Sequence, residues 1–196
     1  MKTRFLFFFL CVPIFTQEQT LIKCNDSVSF FVEQKSNFYF SIKLLGSTTT
    51  TENSKVINFQ NSPIQILCVD TKDYITNGSK ESTILSTYIM SETEYYTGLF
   101  KQKLDLQVYP IKLNENKLAA LWFFDMPEEV QKSSGDNASP AIKMVSISII
   151  FQNYLLSIGT NQFKDENFEN IKQLLINLIK SSTAGSGEIK DVDFCK

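Results

Sequence analysis

The chain has 196 residues, 43% of them hydrophobic and 20% charged, with 19 basic residues against 21 acidic ones and no histidine. Without histidine the Ser-His-Asp and Cys-His arrangements are excluded, and the commonest zinc ligand is missing. Arg4 is the sole arginine, so the chain beyond its leader has no guanidinium fork for phosphates or guanine edges, and its acidic balance excludes nucleic acid as a partner.

Residues 1–16 read as a secretory signal: Lys2 and Arg4, an apolar run from Phe5 to Val12, then Pro13 and Thr16. The run is short of the about 20 residues a bilayer span needs, so a periplasmic or secreted chain with no membrane span is expected. Phe9-Leu10 before Cys11 is a poor lipoprotein box, so no lipid anchor is expected. Cys24, Cys68 and Cys195 then remain, an odd count for an exported protein and a spacing that matches no metal motif. A Cys24–Cys195 bridge would staple both ends of the domain. The alternative is three reduced thiols, with Cys68 in the core between Leu67 and Val69.

Val28, Phe30 and Val32 alternate as a strand, and Phe38 to Leu45 form its hairpin partner after a polar turn over residues 34–37. The threonine-rich stretch from Gly46 to Ser54 reads as an exposed polar loop. Lys55 to Gln60 and Ile64 to Val69 are two more strands around Pro63, and Asn77-Gly78 marks a turn. Thr83 to Met90 is rich in β-branched and aromatic residues and reads as a strand. Ser91 and Glu94 match a capping box, opening a short helix that carries Tyr95, Tyr96, Leu99, Phe100 and Leu104. Leu106 to Leu113 and Lys117 to Asp125 are strands about a turn at residues 114–116, the second apolar on both faces. A long loop follows over residues 126–140. Val145 to Phe151 and Tyr154 to Ile158 make a hairpin about Gln152-Asn153, ended by Gly159. Phe168, Ile171, Leu174, Leu175, Leu178 and Ile179 give one helical stripe, with Asp165 as its expected N-cap. The expected fold is α+β: one domain over residues 17–182, with a single antiparallel sheet of about seven to nine strands. Two main helices flank that sheet, the C-terminal one packed on it, and residues 183–196 are a tail.

Two groups of side chains stand out as candidate binding positions. Tyr95 and Tyr96 are adjacent on the short helix, either as a packing face or as the lining of a ligand site. Asp125, Glu128 and Glu129 follow the most apolar strand and are the best acidic cluster, for a cation or for general acid catalysis. The acidic pairs Glu92/Glu94 and Asp191/Asp193 are weaker. Asn25, Asn77 and Asn137 each begin an Asn-X-Ser sequon. No metal site and no cofactor is expected.

The block SISIIFQNYLLSIGTNQFKDENFENIKQLLINLIKSS, running to Ser182, resembles the end of PsbP-like α/β/α sandwich proteins. About forty residues carry the resemblance; the rest agrees only in element order. It implies one antiparallel sheet with helices on its faces, frequent export, and a binding or accessory role. The scarcity of basic residues and the odd cysteine count depart from that pattern. The reading that joins these observations is an exported, non-enzymatic binding protein of a bacterial envelope whose partner is another protein. Immunity against a toxin delivered to the periplasm is its concrete form. The alternatives are a carboxylate-dependent hydrolase using Asp125 with Glu128 or Glu129, and a carrier of a small apolar ligand beside Tyr95 and Tyr96.

Overall fold

Alternation of apolar and polar positions puts most of this chain into antiparallel strands. The computed structural model describes residues 19–75, 79–114, 117–132 and 139–196. The leader, Asn77 and Asn137 lie outside these described residues. In chain order the elements are β1 (Gln19–Asn25), β2 (Val28–Lys35), β3 (Phe38–Leu45), β4 (Thr48–Thr50), β5 (Val56–Phe59), β6 (Ser62–Asp70), α1 (Glu81–Phe100), β7 (Gln107–Asn114), β8 (Lys117–Asp125), α2 (Glu128–Lys132), β9 (Ala141–Phe151), β10 (Tyr154–Phe163), α3 (Phe168–Lys180) and β11 (Ser182–Ser186). The described strands form two sheets, ordered β1-β2-β3-β11 and β4-β5-β6-β10-β9-β8-β7. The fold is α+β as expected, but the expected single sheet with two helices is two sheets with three described helices. The chain divides into two compact units, residues 19–65 with Asn177–Lys196, and Ile66–Ile176.

In the first unit the expected β2–β3 hairpin forms, paired from Val28 opposite Leu45 to Lys35 opposite Phe38. Phe31, Phe38, Phe40, Ile42 and Leu44 are buried on one face. The expected turn at residues 34–37 starts later, because Lys35 is still in β2 and is buried beside Glu33. Two strands that alternation did not announce enlarge the hairpin into a sheet. β1 pairs with β2, and β11 pairs with β3. The C-terminal stretch is therefore no plain tail. Its small residues Ser182, Ala184 and Ser186 stand opposite Ile42, Phe40 and Phe38, where a large side chain would compete with the β3 aromatics. Thr183 adds a hydroxyl contact to Ser41 at 2.8 Å. Cys24 and Cys195 form a disulfide with their Cα atoms 5.3 Å apart, and Phe194 packs against Phe30 and Tyr39. The threonine-rich run is also more ordered than its composition suggests: Thr48 is buried in β4, and the Thr51 hydroxyl donates to the Val56 carbonyl at 2.7 Å.

In the second unit β9 and β10 pair from Phe151 opposite Tyr154 through to the end of β10, with Gln152 in the left-handed region at φ 53°. β10 does not stop at Gly159; the ladder continues to Phe163. Gly159 marks a close approach instead, since a Cβ there would come within 2.5 Å of Ser146 Oγ. Directly opposed residues share a face. Leu121, Phe123, Val145, Ile147, Ile149, Leu156 and Ile158 lie on one side of this sheet, and Phe168 at the start of α3 meets Phe123 there with ring centroids 4.7 Å apart. The N-cap of α3 is Asn167, whose Oδ1 accepts from the Glu169 N–H at 2.8 Å. Asp165, the expected cap, accepts from Ser139 Oγ.

The opposite side carries the largest departure from expectation. Thr83 to Met90 is not a strand, and Ser91 does not begin a helix; α1 runs unbroken from Glu81 to Phe100. Its buried residues, Ile84, Leu85, Tyr88, Ile89 and Thr93, follow helical spacing, and the first four pack with Trp122, Phe124, Met126, Met144 and Leu155. The loop expected over residues 126–140 opens with the short helix α2, in which the Val130 N–H donates to the Pro127 carbonyl at 3.0 Å.

Candidate functional site

The two faces of the sheet in the second unit differ in chemistry. The face that α3 begins on is mainly Val, Ile, Leu and Phe until Thr160 and Gln162 near the end of β10, whereas the α1 face carries Ser146, Ser148, Ser157, Gly159 and Asn161 among its apolar residues. All five are buried, and buried polar groups must find partners. Most of that demand is met by one chain of hydrogen bonds. Trp122 Nε1 donates to Ser148 Oγ at 3.0 Å, Ser148 and Ser157 share a bond of 2.9 Å, and Ser157 bonds the Tyr88 hydroxyl. Among the described residues Asn161 Nδ2 has no hydrogen-bond partner. The chain of bonds fixes the Tyr88 ring and thereby the rotation of α1 about its own axis.

Glu92 follows Tyr88 by one helical turn, and Tyr96 follows by another. This stripe is the centre of the site. Tyr74, from the 3-10 turn Thr71–Tyr74, meets Tyr88 edge-on with centroids 5.5 Å apart. Tyr96 lies tilted against Phe124 at 5.4 Å and stacks with Phe100 at 6.0 Å. Burial pushes the Glu92 carboxyl above the usual range. Burial also pushes up the Tyr74, Tyr88 and Tyr96 hydroxyls, with the Glu92 charge as the next cause in each. α1 holds Glu81, Glu92 and Glu94 and no lysine, and Asp73 adds further negative charge beside Tyr74.

The candidate residues of the sequence fall in three places. Tyr95 and Tyr96 contact each other edge-on at 5.3 Å, but Tyr95 is 37% exposed while Tyr96 packs into the core cluster. Asp125 ends β8, opposite Lys143 on β9, and the two side chains form an ion pair. The Lys143 ammonium also lies 5.0 Å from the Phe123 ring centroid and 5.7 Å from that of Phe168. Glu128 and Glu129 are exposed in the first turn of α2. Among the described residues no three His, Cys, Asp or Glu side chains are grouped to hold a metal ion. Cys24 and Cys195 are joined, and Cys68 is buried and takes no part in that disulfide. Sequence reasoning missed Tyr74, Tyr88 and the serine–tryptophan chain, and ranked Glu92 only as half of a weaker acidic pair with Glu94. The available signal was the four-residue spacing of Tyr88, Glu92 and Tyr96, which a strand assignment over residues 83–90 conceals.

Known proteins add a neighbour at the level of fold. No family model matches the chain, and no curated protein matches it in sequence. The chain is similar to the solution structure of cyanobacterial PsbP (CyanoP) from Synechocystis sp. PCC 6803, with a TM-score of 0.47 and 7% identity, over 89% of this chain and 95% of that one. The PsbP-like resemblance of the C-terminal block thus has a weak structural counterpart. A likeness of this size carries no function with it. Among the described residues no helix is long and apolar enough to cross a membrane.

Proposed function

We propose that this chain is an exported binding or accessory protein and not an enzyme. The Cys24–Cys195 disulfide supports export, because such bridges persist in oxidising compartments. The observation that carries the binding reading is the state of Asp125. Carboxylate catalysis is favoured by acids gathered in a sheltered cleft, whereas Asp125 is an exposed carboxylate paired with Lys143, and Glu128 and Glu129 are exposed on a separate short helix. The partner is another protein, and immunity to a toxin delivered into a bacterial envelope is the concrete form of that role. Affinity capture of the tagged full chain from periplasm, followed by mass spectrometry, is expected to retain one stoichiometric partner. Repeated capture of none counts against the reading. Alanine at Asp125, Glu128 and Glu129 is expected to leave the phenotype unchanged, and a lost phenotype with intact fold would favour the hydrolase instead.

A further inference from the structure

We propose that Asn25 is a modification site, the acceptor for an N-linked oligosaccharide. Among the described asparagines it alone stands two residues before a serine or threonine with no proline between, as Asn25-Asp26-Ser27. Asn25 ends β1, Asp26 and Ser27 make the turn into β2, and all three residues are exposed. A transferase must reach the side chain, and the approach is open here. β1 is the outer strand of its four-stranded sheet, and buried positions resume only at Ser29.

The turn is held by bonds that spare the groups the reaction needs. The Ser27 N–H donates to Asn25 Oδ1 at 2.9 Å, and the Gly46 N–H donates to the Ser27 carbonyl at 2.8 Å. These bonds use the carbonyl end of the Asn25 amide and the backbone of Ser27, not Nδ2 or the Ser27 hydroxyl. They also draw the acceptor amide and the hydroxyl-bearing residue onto one turn, and this pair is what a sequon-reading transferase recognises. The co-reactant is an oligosaccharide joined through its anomeric carbon to a lipid diphosphate. Nδ2 forms a bond to that carbon, the bond from the carbon to the diphosphate oxygen breaks, and its electron pair leaves with the lipid diphosphate. Nδ2 gives up one proton to a base of the transferase, and nothing is oxidised or reduced. The product is a bulky, solvated group that belongs on a surface turn such as this one. Such donors serve exported chains, so the proposal rests on the export reading. It needs neither the protein partner nor the immunity role.

The test is secretion of the full chain from a eukaryotic cell, which supplies the lipid-linked donor, followed by mass spectrometry of the tryptic peptide that begins at Cys24. Half of the sample is first treated with a peptide N-glycosidase, which leaves aspartate where a glycosylated asparagine stood. A glycan on Asn25 is expected in the untreated half, and aspartate at that position in the treated half. Asn25→Gln is expected to lose the glycan. Ser27→Ala keeps the acceptor amide and the backbone groups that hold the turn, and it is expected to lose the glycan as well. Secreted protein with the Cys24–Cys195 bridge formed and Asn25 unmodified would overturn the proposal and leave the export reading standing. A glycan that persists in Ser27→Ala would overturn it too. A chain kept inside the cell with Cys24 and Cys195 reduced would overturn both readings.

Discussion

Glu33 and Lys35 lie on the same buried side of β2, at 1% and 7% exposure, and Lys35 Nζ approaches Glu33 Oε1 to 2.7 Å. Glu33 Oε1 makes no well-aligned hydrogen bond, so the contact is an ion pair by distance, and Gln19 Nε2 serves the other oxygen at 2.9 Å. Burial raises the Glu33 carboxyl above its ordinary 4.5 despite the opposing pull of Lys35 and Gln19. The folded state therefore binds this proton more tightly than the unfolded chain. Its contribution to stability is fully present below the unfolded value and is lost as pH rises through the folded one. Removing the cation should expose the cost directly. Lys35→Met is expected to destabilise by about 3–5 kcal/mol at neutral pH, because it strands a buried carboxylate. The loss should shrink as pH falls through the raised folded value and be smallest below the ordinary 4.5, where Glu33 is protonated both folded and unfolded. Urea unfolding at both pH values measures this, and an equal loss at the two would show that packing of the lysine stem matters and the charge does not.

Helix α1 shows how an element can contradict its own local composition. Thr83 to Met90 has strand-forming residues, but Thr87 Oγ1 bonds the Thr83 carbonyl at 3.0 Å and Thr93 Oγ1 bonds the Ile89 carbonyl at 2.8 Å. These back-bonds satisfy the β-branched residues within a helix, and the buried stripe against the sheet decides the outcome over propensity. The helix ends where Lys101 adopts φ 52° and its N–H donates to the Thr97 carbonyl. Gly98, three residues earlier, is exposed and helical, and a Cβ added there would meet nothing within 4 Å. Gly98→Ala is accordingly expected to stabilise by about 1 kcal/mol, read as a raised thermal midpoint; no change or a loss would mean that this last turn is not helical in solution. Elements whose period and composition agree were legible from residues alone: the β2–β3 and β9–β10 hairpins, β8, and the stripe of α3. Those whose stability comes from neighbours were not. β11 is five small residues that gain order only by pairing with β3, and β1 alternates too weakly to announce itself beside β2. The candidate site divides in the same way. Tyr95 and Tyr96 stand out as residue types, whereas the half-burial of Glu92 and its place between Tyr88 and Tyr96 on one stripe of α1 follow only from the helix.

At the scale of the whole molecule, the chain leaves its first unit after residue 65 and returns to it at residue 177. Everything between is an excursion whose two ends that unit must hold together. The β3–β11 ladder and the Cys24–Cys195 bridge across a sequence separation of 171 do so in the unit itself, beside the Gln34 bonds to Gly187 and Ile189 and the packing of Phe194. The ladder is weak by composition, since Ser182, Thr183, Ala184, Gly185 and Ser186 bury little apolar surface. The bridge acts mainly on the unfolded chain, and closing a loop this long is worth up to about 5 kcal/mol in the chain-entropy model. Reduction should therefore cost about 2–5 kcal/mol in urea unfolding of the first unit, and amide exchange should accelerate first in β11 and then in β3. The buried Trp122 belongs to Ile66–Ile176, so its fluorescence supplies an internal reference for the other unit. Reduced protein with both thiols confirmed free, and with exchange in β11 as slow as before, would mean that the five-residue ladder holds the chain's return without the bridge.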